Sequence, residues 1–342
     1  MFIEDKLNLN KEDEVNELKD FLNTFGVDFD IPDETYVVRK DGKIFATGSI
    51  DGNILKYFFL DCNHRGQGVI KSIFNKLLDY IFELGYNSYF AYTTPYNKHI
   101  FESLGLTEVC STDKVSFLEG GSYNIDQWIE DTRGQLGSKF GNRGAIIANC
   151  NPMTLGHKYL ITEAMESVDQ LLVFVVEEDV SHFPFESRYE IVKEELKAYE
   201  RIKVLKGGPY IISKGTFPTY FTKKKDKQLD IYTELDATIF AEKIAKGLGI
   251  NTRFIGTENQ DSITNTYNNA LIRVLNDNNL ETRLISRLKI GDKTVSATRI
   301  RKLIHEGQVE KTHKFLTAST RKFLNTKYGE KVIRKIKDEN AT

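Results

Sequence analysis

The sequence predicts an α/β protein in which a compact α+β unit precedes a doubly wound, Rossmann-like parallel-sheet domain. Three observations carry this expectation. At 342 residues the chain exceeds one average domain, and each of two domains has enough material for its own core. The front third places several strand-like runs before its main helix, whereas from Gly144 onward strand and helix patterns alternate regularly. The run Leu171–Val176, LLVFVV, is apolar without alternation, as strands covered on both faces of a parallel sheet read.

Taken in order, Val15, Leu18, Phe21 and Leu22 fall on one helical face within the first thirty-odd residues. TYVVRKDGKIFATGSI then reads as two strands joined by an Asp41-Gly42 turn, and GNILKYFFLD as a third. NHRGQG leads into a helical pattern from Val69 to Leu84, the strand SYFAYT follows, and a second helix runs from Asn97 to a Gly105 cap. This makes residues 1–120 one domain, with the irregular stretch 121–140, holding the single tryptophan Trp128, as linker. Residues 141–342 then supply GAIIANC, HKYLITEAMESV, QLLVFVVE, SRYEIVKEELKAY and RIKVLKG as successive strands and helices. DATIFAEKIAKGLG, the strand TRFIGT and a helix starting near Ser296 come later.

Composition excludes some functions. An apolar share of 40% with a formal charge of -2 gives no electrostatic pull toward nucleic acid or membrane, and no basic-aromatic alternation marks a nucleic-acid surface. Cys62, Cys110 and Cys150 are widely spaced, without metal-ligand pattern, and read as reduced thiols, Cys150 as a small packing residue. With no basic-apolar leader and no run of roughly 20 apolar residues, a cytoplasmic protein is expected.

Two segments carry chemistry. NCNPMTLGHKYL, from Asn149, runs from a strand into a helix, where free N–H groups and the positive dipole end suit a phosphate. In it Gly156 would admit a close phosphate, and His157 could donate a hydrogen bond as charge builds on a phosphoryl oxygen. VSATRIRKLI, from Val295, offers Ser296 and Thr298 as capping hydroxyls with Arg299 and Arg301 behind them. Alone, a Gly-His pair at a helix start is more often structural, and the second segment is better explained by an ordinary capped helix with solvated arginines.

Together they resemble the nucleotidyltransferase superfamily's His-x-Gly-His and Ile-Ser-Ser-Thr-x-Ile-Arg motifs, which bind ATP and stabilise transfer at its α-phosphate. Thr154 stands where the leading His falls, and Ala297 where a serine does. The resemblance implies catalytic roles for Thr154, His157 and Arg301. It also implies an ATP-binding set of Asn149, Asn151, Pro152, Gly156, His157, Arg188, Gly256, Glu258, Ser296, Thr298 and Arg301. For Arg188 a helix-surface salt bridge is the equal alternative, and Glu258 is placed only by its position after a strand end.

More particularly, GNRGAIIANCNPMTLGHKYLI, HFPFESRYEIV, YIISKGTFPTYF, LDATIFAEKIAKGLGI, RFIGTENQDSITNTYN and VSATRIR look like, in order, the blocks of the citrate lyase ligase family. That resemblance spans nearly the whole chain and implies an ATP-dependent ligase. Its substrates would be ATP, acetate and the prosthetic-group thiol on the acyl carrier subunit of citrate lyase, with Mg2+ accompanying ATP, though no carboxylate cluster declares itself as a metal cage. It implies acetyl-adenylate as intermediate and AMP and pyrophosphate as products. Since the thiolate belongs to the carrier, no protein nucleophile is needed. The rival readings are an adenylyltransferase acting on a phosphorylated metabolite, and a regulatory module that senses acetyl-coenzyme A and merely holds ATP.

The family also carries an acetyltransferase-like front domain. Arg65-Gly66-Gln67-Gly68 resembles the coenzyme A loop of GCN5-related acetyltransferases, and YNKHIFESLGL their closing block, which implies coenzyme A or pantetheine contacts from Arg65, Gly66, Gly68 and Asn97. Ile70 stands where that loop has Gly or Ala, and Phe101 where many members have a thiolate-protonating tyrosine, which phenylalanine cannot replace. A domain that keeps the fold and grips the carrier arm is favoured over an independent acetyltransferase, with a structural remnant as the equal alternative. His182 reads as a loop residue, and TKKKDK, from Thr222, as a solvated loop rather than a carrier-docking patch.

Overall fold

A computed structural model describes residues 2–64, 68–137, 141–177, 181–212, 225–257 and 262–338, with backbone alone at 225–228 and 262–267. The chain divides into two compact units, residues 1–127 with 218–235, and residues 128–217 with 236–342.

The first unit is built on a seven-stranded sheet. Its strands are β1 Ile3–Lys6, β2 Glu34–Lys40, β3 Lys43–Asp51, β4 Ile54–Leu60, β5 Ser88–Thr93, β6 Thr107–Ser111 and β7 Ser116–Gly121, in spatial order β1-β2-β3-β4-β5-β7-β6. All neighbours are antiparallel except β4 and β5, which are parallel and pair only at Ile54–Phe90 and Leu55–Ala91. Beyond those residues the two strands separate. Helix α1, Glu12–Asn23, buries Val15, Leu18 and Leu22, as the spacing predicts. Helix α2, Val69–Glu83, buries Ile73, Phe74, Leu77 and Ile81 in the core formed with β3, β4 and β5. Helix α3, Lys98–Ser103, ends where Leu106 N–H returns to the Phe101 carbonyl across Gly105, which takes the left-handed conformation the sequence reading required. The opening strand β1 was not foreseen: four residues are too few to show a period, and pairing with β2 decides them.

Residues 121–140, expected as linker, hold helix α4, Ile125–Gly134. Its short apolar face includes the buried Ile125, Trp128 and Ile129. Residues 218–235 group with the first unit, so the expected boundaries 1–120 and 141–342 do not coincide with the compact units.

The second unit contains a five-stranded, wholly parallel sheet of β8 Arg143–Ala148, β9 Gln170–Val175, β10 Ile202–Lys206, β11 Thr252–Gly256 and β12 Glu281–Ile285. The order β10-β9-β8-β11-β12 is doubly wound, with the switch between β8 and β11. Those two strands pair at Thr252–Gly144 and Arg253–Ala145, near their starts, leaving their carboxyl ends apart. Leu171 to Val175 of β9 are all fully buried, which accounts for the unbroken apolar run. Each such side chain contributes about 1.5–3 kcal/mol.

Around the sheet lie α5 Leu155–Met165, α6 Phe185–Leu196 and α9 Ser262–Asp277, while helix α7, Lys225–Ile239, runs from residues grouped with the first unit into the second. The π-helical segment Phe240–Ala245 and the turn α8, Lys246–Leu248, continue α7 to a left-handed Gly249. A hairpin, β13 Lys289–Ile290 with β14 Lys293–Thr294, leads into α10 Ala297–His305, and α11 Ala318–Leu324 and α12 Lys327–Asp338 close the chain. Among the described residues no helix is long and apolar enough to cross a membrane.

Candidate active site

The polar turn after β8 lies at the carboxyl end of the parallel sheet, next to the switch point, and its residues explain the start of α5. Thr154 is extended (φ -118, ψ 167) and caps the helix: its Oγ1 accepts from His157 N–H at 3.4 Å. His157 reciprocates, its Nδ1 lying 3.0 Å from the Thr154 amide nitrogen and 3.0 Å from Oγ1. A backbone amide can only donate, so Nδ1 accepts and the neutral ring carries its proton on Nε2. His157 is thereby fixed as a hydrogen-bond donor through Nε2. Burial, and after it the charge of Arg287, pushes its pKa from 6.5 down to about 4, so the ring is neutral near pH 7. A histidine held neutral suits donation to a developing oxyanion better than proton abstraction.

The second motif meets the first. Ser296 is the N-cap of α10 and accepts from Arg299 N–H at 3.3 Å. From one turn further, Arg301 donates through Nη1 to the Asn151 carbonyl at 2.5 Å and through Nη2 to Thr298 Oγ1 at 3.3 Å. Arg299 lies over the Phe315 ring at 5.0 Å, covering the side of α10 away from Asn151 with a cation–π contact. Gly156 has its own reason here: a Cβ would lie 3.0 Å from the Val295 carbonyl oxygen and 3.4 Å from Thr154 Oγ1. Its missing side chain makes room for the backbone of the other motif.

Arg188 departs from expectation altogether. It is fully buried, donating from Nε to the Phe183 carbonyl at 3.0 Å and from Nη1 to the carbonyls of Asn149 (2.8 Å) and Val176 (2.9 Å) and to Asn149 Oδ1 (2.6 Å). Its described partners are carbonyl and amide oxygens, and its full burial sets aside the helix-surface placement. It supports the turn from beneath. Asn149 also exchanges hydrogen bonds with Ser181 at 3.3 Å, and Asn151 Oδ1 accepts from Phe183 N–H at 3.1 Å, so both asparagine side chains build the loop. Pro152 joins Asn151 through a cis peptide and is buried.

Other residues hold the turn that the sequence did not announce. Thr320 Oγ1 donates to the Met153 carbonyl at 2.7 Å, and Lys158 pairs with Glu195 at 2.7 Å, whose other oxygen accepts Ser319 N–H at 3.0 Å. The signal available was Thr317, which caps α11 at the start of LTAST. Gly256 ends β11 beside Leu160 of α5, and its carbonyl accepts from Asn268 at 3.4 Å. Glu258 lies outside the described residues. Cys150 is buried and its thiol is pushed up to about 12 by burial, so it is inert packing, as expected. Among the described residues no group of three His, Cys, Asp or Glu side chains is placed to hold a metal ion.

In the first unit, Arg65 and Gly66 lie outside the described residues. Gly68 caps α2 with φ +69, a left-handed conformation that favours glycine. Asn97 is exposed at the start of α3 and lines a cavity of about 260 Å3 in the gap where β4 and β5 separate. Lys56, Tyr57, Phe58, Tyr92 and Phe101 line it too, with the Phe101 ring 5.6 Å from that of Phe58. No hydroxyl stands at position 101.

The class these features define is an α/β protein of two compact units, the second with two helix N-termini joined at the mouth of its parallel sheet. Residues 143–324 match the family model described as the citrate lyase ligase C-terminal domain. The [citrate [pro-3S]-lyase] ligase of Escherichia coli K12 is 31% identical over 319 residues, covering 90% of this chain and 89% of that protein. The chain belongs to the citrate lyase ligase family. Among solved structures, Thermotoga maritima TmcAL bound with alpha-thio ATP matches 56% of this chain and 57% of its own at 16% identity and a TM-score of 0.38. The GNAT domain of S. lividans PAT matches 35% of this chain and 89% of its own at 17% identity and a TM-score of 0.30.

Proposed function

We propose that this protein activates citrate lyase by acetylating the prosthetic-group thiol of its acyl carrier subunit at the expense of ATP. Acetate attacks the α-phosphate of ATP, the bond to the β-phosphate breaks, and pyrophosphate leaves acetyl-adenylate behind. The carrier thiolate then attacks the acetyl carbonyl and AMP departs. The observation that carries this reading is the junction of the two helix starts, in which Arg301 of α10 holds the Asn151 carbonyl while His157 of α5 is fixed as an Nε2 donor.

In this reading the N-terminal amides of α5 and α10 and the Ser296 and Thr298 hydroxyls hold phosphate oxygens. His157 stabilises charge at the reacting phosphate. Thr154 sets the tautomer that makes this possible, and Arg301 positions the first motif while facing the nucleotide. Magnesium would accompany ATP and offset phosphate charge. The front cavity takes the pantetheine-like arm of the carrier, with Asn97 at its rim, and Phe101 has no hydroxyl to protonate a leaving thiolate.

The experiment is pyrophosphate release from ATP and magnesium with and without acetate, followed by addition of deacetylated citrate lyase carrier. Acetate-dependent pyrophosphate with AMP and acetyl-carrier is expected. Release that ignores acetate and requires a phosphorylated metabolite would replace this reading with an adenylyltransferase.

A further inference from the structure

Neither sequence motif contains Arg287, which lies two residues beyond the end of β12, between that strand and the β13–β14 hairpin. Carboxyl ends of parallel strands are where ligands of open α/β sheets sit. The segment is anchored from three directions. The Ile285 carbonyl accepts Thr257 N–H at 2.9 Å, the Leu288 carbonyl accepts Val295 N–H at 3.0 Å, and Leu288 packs against the hydrophobic core. Val295 is the residue whose carbonyl lies against Gly156, so the Arg287 segment, the start of α5 and the start of α10 form one continuous contact.

We propose that Arg287 is a phosphate-binding residue of this site, meeting the same phosphate group as His157 and Ser296. The inference rests on the nucleotide-activating reading above. His157 Nε2 offers a neutral donor, and the two helix ends offer partial charges of about half a unit each. A planar guanidinium here would add a full charge to those of Arg301 and the helix ends and match two phosphate oxygens at once. The Arg287 charge already acts on the His157 ring, so an anion bound to that ring lies within its reach as well. Burial lowers the pKa of Arg287, and a guanidinium remains cationic at neutral pH.

The test measures ATP and adenosine binding by the full-length chain and its Arg287→Gln and Arg287→Lys variants, with NMR titration of the His157 imidazole. ATP affinity should fall roughly 10- to 100-fold in Arg287→Gln, the loss of a charge-assisted hydrogen bond. Adenosine affinity should hold, Arg287→Lys should recover part of the loss, and the His157 pKa should rise in Arg287→Gln alone. Equal losses for ATP and adenosine would make Arg287 a structural residue, and unchanged ATP binding would remove it from the site; either overturns the proposal. Failure of the unmodified protein to bind ATP would instead overturn the nucleotide-activating reading itself.

Discussion

The turn before α5 and the turn before α2 both carry a strand into a helix through glycine, and they are built differently. Before α5, Thr154 and His157 cap each other and Arg301 ties in a segment distant by 150 residues. Before α2, Gly68 supplies a left-handed backbone but no side-chain cap, and space for a Cβ there is open. The difference teaches what each place can do. Stabilising a transition state needs donors fixed in advance, because reorganisation during reaction would consume the gain. In the proposed function the carrier arm needs only a gap, such as the parting of β4 and β5 leaves.

The strongest way to break the comparison is His157→Ala. Acetate-dependent pyrophosphate release should drop by about 10²- to 10³-fold, the usual cost of one such donor. Circular dichroism should show the fold retained, and a small loss would move the chemistry elsewhere. Next in size, Arg188→Met should leave buried carbonyls of Asn149, Val176 and Phe183 without their donor. About 2–4 kcal/mol of stability should be lost in urea unfolding; reduced ATP affinity at unchanged stability would restore the phosphate clamp.

Gly156→Ala should cost about 1–3 kcal/mol by forcing a methyl against Val295, with the KM for ATP raised as the motifs part. A pH series sharpens the same point. The folded-state pKa of His157, about 4, lies below its ordinary 6.5, so the unfolded chain binds the proton first between those values. This histidine's contribution should therefore lower stability as pH falls from 6.5 toward 4, and His157→Asn should flatten that slope in thermal unfolding. Smallest is Phe101→Tyr, expected to change stability by about 1 kcal/mol or less and to yield no acetyl transfer from acetyl-coenzyme A. Transfer appearing in that variant would show that the front domain lacks only its acid.

Much of the architecture could be read beforehand. The β2–β3 turn at Asp41-Gly42, the α2 stripe and the LLVFVV strand each carry a local period or turn chemistry strong enough to stand alone. Strand β1 and helix α4 did not, because short elements acquire their state from partners. Within the site, the capping role of Ser296 follows from residue type and position, whereas Arg188 looks the same in sequence whether it faces phosphate or carbonyl oxygens. Arg287 carries no local sign at all, since only the sheet brings the end of β12 beside α5.

By itself the sequence determined that the chain would fold as two α/β parts and that a helix would start capped at Ser296, because periodicity, caps and turns act over a few residues. Only the tertiary structure decided that Arg301 meets Asn151, that Gly156 makes room for Val295, and that Arg188 is enclosed. Those contacts join segments separated by as many as 150 residues. No local pattern encodes such distances, and they are settled when the parallel sheet closes around its buried strand.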